Sequence, residues 1–487
     1  MKVVYLASEV VPFAKTGGLA DVAGTLPKSL QKSGVDIAVF MPLYKMVKEG
    51  RHSLTKMNIR YKVKIGDTLK PGGVYKGFLP DTQVPVYFLE NEQYFDRTGL
   101  YTYPGTTREY EDNCERFIYF TKGVLEVIEK LGMYPEIVHC NDWHTGLVPV
   151  YLKTTYAGKE CFKHTKTIMT IHNLSYQGLF PPWYMNIAGL NWGLFNWKEL
   201  EFYGNLNFLK GGIVFSDLIT TVSRVYAQEI QTAEYGVGLE GVLRERARDL
   251  YGIINGIDYA EWNPETDKFI VANYGINDLT GKQICKRVLQ RKYSLPERDV
   301  PLIGIVSRLT NQKGLDVIAE KFNDLMKLNI QFVLLGTGEP KYHEVFQSYS
   351  KIYQKKAAVT FTFDERLAHE IEAGSDMFLM PSHFEPCGLS QLYSLKYGTV
   401  PIVRSTGGLA DTIIDYRSGD IENGRVNGFL FKGDGDILLA TIIRAIDIFK
   451  NKKQWLRIMK NGMSQDWSLE KSAKEYHRLY KDLVKAA

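Results

Sequence analysis

Ten short runs of apolar, mostly β-branched residues recur along this chain, each followed by a segment long enough to form a helix, and few folds accommodate that alternation. Five runs fall in the first half, at residues 2–7, 36–41, 136–140, 165–172 and 217–223. Five more fall at 301–307, 330–336, 358–363, 376–381 and 400–404. A strand that is apolar along its whole length is covered on both faces, which means a parallel sheet sandwiched by helices. At 487 residues the chain exceeds one ordinary core. The expectation is therefore α/β, with two Rossmann-like, doubly wound domains. The boundary is expected in IINGIDYAEWNPETD, where Asn255-Gly256 signals a turn and Asn263-Pro264 breaks structure. The C-terminal stretch spaces Leu469, Ala473, Tyr476 and Leu479 as one face of an amphipathic helix. The expected domains are 1–255 with a returning helix at about 465–487, and 256–464.

An internal echo adds to this. Thr16-Gly17-Gly18-Leu19-Ala20-Asp21 reappears letter for letter as Thr406-Gly407-Gly408-Leu409-Ala410-Asp411. Each copy follows a strand-like run and opens a helix-like one, where backbone N–H groups can hold an anion. A pair of tight glycine turns without a ligand is the plainer reading, and six matching residues in equivalent contexts weigh against it.

Cations stand where such an anion would sit. Lys15 immediately precedes the first glycine loop, either to reach a phosphate or as a solvated surface lysine. Arg308 ends the run PLIGIVSR and Lys313 follows in LTNQKG. In open α/β sheets ligands bind beyond the carboxyl ends of the strands, so both are placed for a diphosphate. Fixed cations there would stabilise the charge that a leaving diphosphate gains. Glu385, in SHFEPCGLSQ, lies past another strand, with Pro386 stiffening the backbone and Gly388 allowing close approach. Its carboxylate suits sugar hydroxyls or a developing positive ring, unless it is a surface loop residue. Asn141, Asp142 and His144 follow one strand of the first half, and His172 and Asn173 end the next. A metal held by His139, Asp142, His144 and His172 competes with this, but their spacing matches no common metal signature. Trp183, Trp192 and Trp197 sit in an aromatic-rich stretch, read as buried core first and as a glucan surface second.

Composition excludes several classes. The net charge of +5 is small for 487 residues and no basic block stands out, so nucleic acid is not an expected partner. The five cysteines are scattered and unpaired in pattern, which argues against a disulfide framework or a zinc finger. No run of about 18 apolar residues and no cleavable leader is evident, so a cytoplasmic, reduced protein without a membrane partner is expected.

The set LASEVVPFAKTGGLADVAG, NDWHT, TIHNLSYQG, INGID with WNPETD, SRLTNQKG, SHFEPCGLSQ and STGGLADT resembles bacterial glycogen synthases and plant starch synthases, in the family's order from residue 1 to about residue 480. The resemblance implies glycosyltransferase-B architecture, two domains facing a cleft, and retaining transfer of glucose from ADP-glucose to an α-1,4-glucan such as glycogen, starch or a maltooligosaccharide. It implies that Lys15, Arg308 and Lys313 bind the diphosphate and that Gly18, Thr406, Gly407 and Gly408 form phosphate loops. Glu385, Cys387, Gly388 and Leu389 would form the glucose pocket, and Phe363 would lie against the adenine. Asp142, His172 and Asn173 would flank the reacting sugar, with the His172 carbonyl steadying an oxocarbenium-like centre. Front-face substitution, in which the leaving phosphate helps deprotonate the incoming hydroxyl, needs no cofactor and no metal. A related transferase using UDP-glucose and a glucan- or granule-binding protein of the same fold remain as alternatives. The residues do not fix the oligomeric state.

Overall fold

A computed structural model describes residues 1–106, 108–417 and 424–485. The chain divides into two compact units, Met1–Ile254 with the segment from Leu469 on, and Asn255–Ser468. Residues 486 and 487, the end of the expected returning helix, lie outside the described part.

The first unit is built on β1 (Lys2–Leu6), β2 (Asp36–Pro42), β3 (Thr55–Ile65), β4 (Thr68–Phe78), β5 (Pro85–Glu90), β6 (Ile137–Asn141), β7 (Lys166–Ile171), β8 (Leu179–Phe180), β9 (Glu201–Phe202), β10 (Asn205–Asn207), β11 (Leu218–Thr221) and β12 (Leu250–Gly252). Nine of them form one sheet in the order β12-β11-β7-β6-β1-β2-β5-β4-β3, while β8, β10 and β9 make a small separate one. From β12 to β5 all neighbours are parallel. β1 lies at the centre, with Val3 opposite both Ile37 and Ile137, and residues 3–6 are buried whichever face they point to. That is why this strand reads as unbroken apolar sequence.

β3 and β4 add an antiparallel edge that no continuous apolar run marks in the sequence. β3 alternates exposed residues with Tyr61, Val63 and Ile65, all buried, so only one of its faces meets the core. In β4 the sequence Pro71-Gly72-Gly73 looks like a turn yet stays in the strand. A Cβ on Gly72 would lie 2.2 Å from the Tyr119 hydroxyl and 2.3 Å from the Tyr61 ring, so glycine is what lets those two rings pack over the strand.

The C-terminal helix Leu469–Lys485 belongs to the first unit's core. Leu469, Ala473 and Tyr476 are buried as their spacing suggests, but Tyr480 completes the buried face, and Leu479 is only partly buried. The Tyr480 hydroxyl lies 2.6 Å from His139 Nδ1 on β6. The aromatic stretch does not go inside: Trp183, Trp192 and Trp197 are 60%, 48% and 68% exposed, which corrects the expectation of buried core. This part of the chain is a string of short turns and one-turn helices with no long apolar face to bury them.

The second unit has six strands, β13 (Leu302–Val306), β14 (Gln331–Leu335), β15 (Ala357–Thr360), β16 (Met377–Met380), β17 (Val400–Arg404) and β18 (Phe429–Phe431). They are all parallel, in the order β15-β14-β13-β16-β17-β18. Both units are thus Rossmann-like, with the strand order reversing beside the first strand of each sheet, between β1 and β6 and between β13 and β16. At such a reversal neighbouring connections leave to opposite faces and open a crevice past the strand ends. No helix among the described residues is long and apolar enough to cross a membrane.

Candidate functional site

In each unit the chemistry-bearing residues gather at the reversal point. In the first, the loop after β1 wraps around a carboxylate of its own chain. Glu9 is 4% exposed, and it accepts hydrogen bonds from the Thr16 backbone N–H, from the Thr16 hydroxyl at 2.6 Å, from the Gly17 N–H at 3.2 Å and from the Tyr101 hydroxyl at 2.8 Å. A buried carboxylate is tolerated only with such a set of donors, and here it fixes the path of Thr16 and Gly17 into the helix Gly18–Lys32. Sequence reasoning missed Glu9 and Tyr101. The only available signal for Glu9 was a charged residue directly after a buried strand, and Tyr101 gave none.

Lys15 stands on the outside of this loop, 45% exposed, with Nζ 2.6 Å from Asp21 Oδ1 in the first turn of the helix. A Cβ on Gly17 or Gly18 would meet nothing within 4 Å, so neither glycine relieves a clash within the protein. The space in front of this helix end is open, with N–H groups and a lysine beside it.

Past β6, Asp142 has φ 52° and ψ 179°, a backbone region costly for any residue with a Cβ, on the order of 1 to 3 kcal/mol. This turn aims its carboxylate back at the end of β7, where the His172 N–H donates to Oδ1 at 2.7 Å and the Asn173 backbone N–H also donates. Burial pushes the carboxyl up to about 7 in spite of those two bonds. The His172 ring is tied to the same loops, with Nε2 2.9 Å from Asn141 Oδ1. That oxygen also accepts from Tyr5, and the Asn141 amide donates to the Leu6 carbonyl at 2.9 Å, so the His172 nitrogen is the donor. Burial lowers the His172 ring to about 3, which keeps it neutral. Asp142, His172 and Asn173 are therefore brought together as the sequence suggests.

The alternative metal set is not assembled. Both ring nitrogens of His139 are occupied, by Tyr480 and by Thr170 Oγ1 at 2.6 Å. His144 is stacked on Trp143 at 4.0 Å and packed against Phe117, as part of the core.

In the second unit, Arg308 follows β13 and is exposed, while Lys313 ends a one-turn helix closed by Gly314 at φ 70°. Lys313 Nζ lies 2.6 Å from Glu385 Oε2, and Ser382 Oγ donates to the same oxygen at 3.0 Å. The pair is largely buried, with side-chain exposures of 18% and 7%, and it bridges the loops after β13 and β16, the two strands at the reversal.

The loop after β16 is held from two sides. Gln391, fully buried, donates to the Cys387 and Gly388 carbonyls at 3.0 and 2.9 Å, and sequence reasoning missed it because a helical glutamine carries no signal. The second glycine loop presses against the other side. Its Gly408 N–H donates to the Glu385 and Pro386 carbonyls, and Cβ atoms on Gly407 or Gly408 would lie about 2 Å from the carbonyls of Glu385 and Cys387. The two TGGLAD copies are therefore not equivalent: the first folds around a glutamate side chain, the second packs on a glutamate's backbone. Thr406, at the helix N-cap, is buried. The Cys387 thiol is buried, with its pKa raised to about 12, so it does not act as a thiolate. Leu389 is partly buried beside it. Phe363 lies beyond the end of β15, outside the strand in which the sequence reading put it, and is 80% exposed.

Residues 2–245 match the family described as the starch synthase catalytic domain, and residues 287–462 match glycosyl transferases group 1. A glycogen synthase of Thermosipho africanus is 50% identical over 487 residues, covering 99% of this chain and 98% of that one. The catalytic domain of starch synthase IV from Arabidopsis thaliana, solved bound to ADP and acarbose, is 33% identical with a TM-score of 0.91, over 99% of each chain. A sucrose-phosphate synthase from Thermosynechococcus elongatus is 16% identical with a TM-score of 0.61 over the full length of both, and shares the fold alone.

Proposed function

We propose that this chain, which belongs to the glycogen and starch synthase family of glycosyltransferases with glycosyltransferase-B architecture, moves glucose from ADP-glucose to the non-reducing 4-hydroxyl of an α-1,4-glucan with retention of configuration. The observation that carries the reading is the buried Lys313–Glu385 pair at the strand reversal of the second unit, beside exposed Arg308. A cation already paired with a carboxylate in a dry loop is preorganised, and it need not be desolvated when a diphosphate arrives. That the Arabidopsis relative holds ADP and acarbose supports a nucleotide sugar and a glucan as this chain's partners.

In this reading Arg308 and Lys313 take the charge of the leaving diphosphate, with Lys15 and the Gly18 end of the first helix as a further anion site, and Thr406 to Gly408 back the glucose-binding loop. Glu385, Cys387, Gly388 and Leu389 contact the glucose, and Phe363 offers its exposed ring to the base. Asp142 holds the backbone N–H groups of His172 and Asn173, and the His172 carbonyl faces the anomeric centre. The reaction uses no cofactor, because these side chains stabilise the leaving-group charge directly.

Release of nucleoside diphosphate from ADP-glucose and from UDP-glucose, each with and without glycogen, tests the reading. Glycogen-dependent release from ADP-glucose, reduced at least about a hundredfold by Lys15→Ala or Arg308→Ala with thermal unfolding unchanged, is expected; one lost transition-state contact costs roughly that much. Activity with UDP-glucose alone would make the chain a related transferase. Glycogen binding without any release would make it a glucan-binding protein, a reading favoured only by the exposed Trp183, Trp192 and Trp197.

A further inference from the structure

The second unit also holds a cluster that the transfer reaction does not use. The helix Glu365–Gly374 carries Glu365 and His369 four residues apart, on one face, and Glu261 is brought beside them from the segment after Asn255. One ligand atom from each lies within 4.8 Å of the other two. Both glutamates are exposed, whereas the His369 side chain is 0% exposed.

The two nitrogens of that ring are not equivalent. Nδ1 lies 2.8 Å from Asp267 Oδ2, which also accepts from the Tyr397 hydroxyl at 2.6 Å. Nε2 is buried and has no hydrogen-bond partner among the described residues. A buried ring nitrogen left without a partner is costly, and burial selects against it unless something outside the protein's own atoms completes it. With the Nδ1 proton directed to Asp267, Nε2 carries the lone pair, the form in which imidazole binds a cation. Trp262 stacks on the ring at 3.7 Å with an interplanar angle of 15°, so the ring cannot swing away. A histidine oriented by a carboxylate at one nitrogen and open at the other is how ligating histidines are held.

We infer that Glu261, Glu365 and Nε2 of His369 bind a divalent first-row transition cation of the zinc class. One imidazole and two carboxylates suit Zn²⁺ and leave one tetrahedral position for water. At bond lengths of about 2.1 Å such ligands stand roughly 3.4 Å apart, so two exposed glutamate side chains must close in by on the order of 1 Å. Two carboxylates side by side repel one another, and the cation removes that repulsion. Bound there, it would tie the segment carrying Glu261 and Trp262 to the helix that begins just after Phe363.

The full chain, stripped with a chelator, is titrated with Co²⁺ as the spectroscopic probe and with Zn²⁺. One Co²⁺ per chain, with visible absorption bands of a four-coordinate site that Zn²⁺ displaces, is expected. Zn²⁺ should also raise the unfolding temperature. Glu261→Gln and Glu365→Gln, both at exposed positions, should each weaken Zn²⁺ binding at least about tenfold while the metal-free chain unfolds as before. The combined variant should bind no stoichiometric metal. No stoichiometric binding to the unaltered chain, or binding that survives the combined variant, overturns the inference.

Discussion

Asp142 combines a strained backbone with a carboxyl that titrates near neutrality, and both have consequences that can be measured. Its folded pKa of about 7 lies above the ordinary value of about 3.9, with burial as the cause. At low pH the group is protonated in both folded and unfolded chains and costs nothing. As pH rises from about 4 to about 7 the unfolded chain loses this proton while the folded one keeps it, so stability falls. Above 7 the full cost remains, on the order of 2 to 4 kcal/mol. Asp142→Asn keeps an oxygen to accept from His172 and Asn173 and removes the charge. Urea unfolding should therefore show the variant gaining on the parent chain between pH 4 and pH 8; an equal difference at both pH values would mean that the carboxyl is not desolvated as described. At this scale the sequence was readable where residue type and position past a strand coincide, as for Asp142, Arg308, Lys313 and Glu385. Glu9, Tyr101 and Gln391 were not readable, because Glu9 and Gln391 act by holding loop backbone and Tyr101 by holding the Glu9 carboxylate, and such contacts arise only once the chain is folded.

The elements divide in the same way. Strands buried on both faces, such as β1, β13 and β16, declare themselves by nearly unbroken apolar sequence. β3 and β4 did not, because a strand solvated on one face alternates and because Pro71-Gly72-Gly73 reads as a turn until Tyr61 and Tyr119 are seen to need the space. The C-terminal helix was visible by its period, whereas its anchor was not: the Tyr480 hydroxyl meets His139, whose other nitrogen meets Thr170 in the middle of the sheet. Burial holds His139 near 3, so the ring is neutral and both bonds persist throughout the neutral range. Tyr480→Phe keeps the ring in the core and deletes one hydroxyl, leaving a buried imidazole nitrogen unsatisfied. The expected loss is about 1 to 3 kcal/mol in denaturant unfolding. A variant as stable as the parent would show that the aromatic packing of Tyr476 and Tyr480 alone holds the helix.

At the scale of the whole molecule, the chain leaves the first unit at Ile254 and re-enters it at Leu469, so the second unit is an insertion between a sheet and its own last helix. Both sheets reverse beside their first strand: β2, β5, β4 and β3 lie on one side of β1 and β6, β7, β11 and β12 on the other, while β14 and β15 lie on one side of β13 and β16, β17 and β18 on the other. The TGGLAD echo falls after β1 in one and after β17 in the other, which is why similar sequence packs differently: one copy follows a central strand, the other a strand nearer the edge. The core of the second unit includes Phe322, Phe332, Phe429 and Trp455 and is drawn entirely from its own residues. The core of the first requires Ala473, Tyr476 and Tyr480 from beyond the insertion. A fragment of residues 255–468 should accordingly unfold cooperatively on its own, since a unit of that size buries enough apolar surface to fold. Residues 1–254 alone should be markedly less stable than the same residues joined through a short flexible linker to 469–485, because two tyrosines each contribute roughly 2 kcal/mol or more by burial. Calorimetry on the three fragments decides the matter: a disordered 255–468 would mean that its core needs the rest of the chain, and equal stability of the other two would mean that the helix only covers a core already complete.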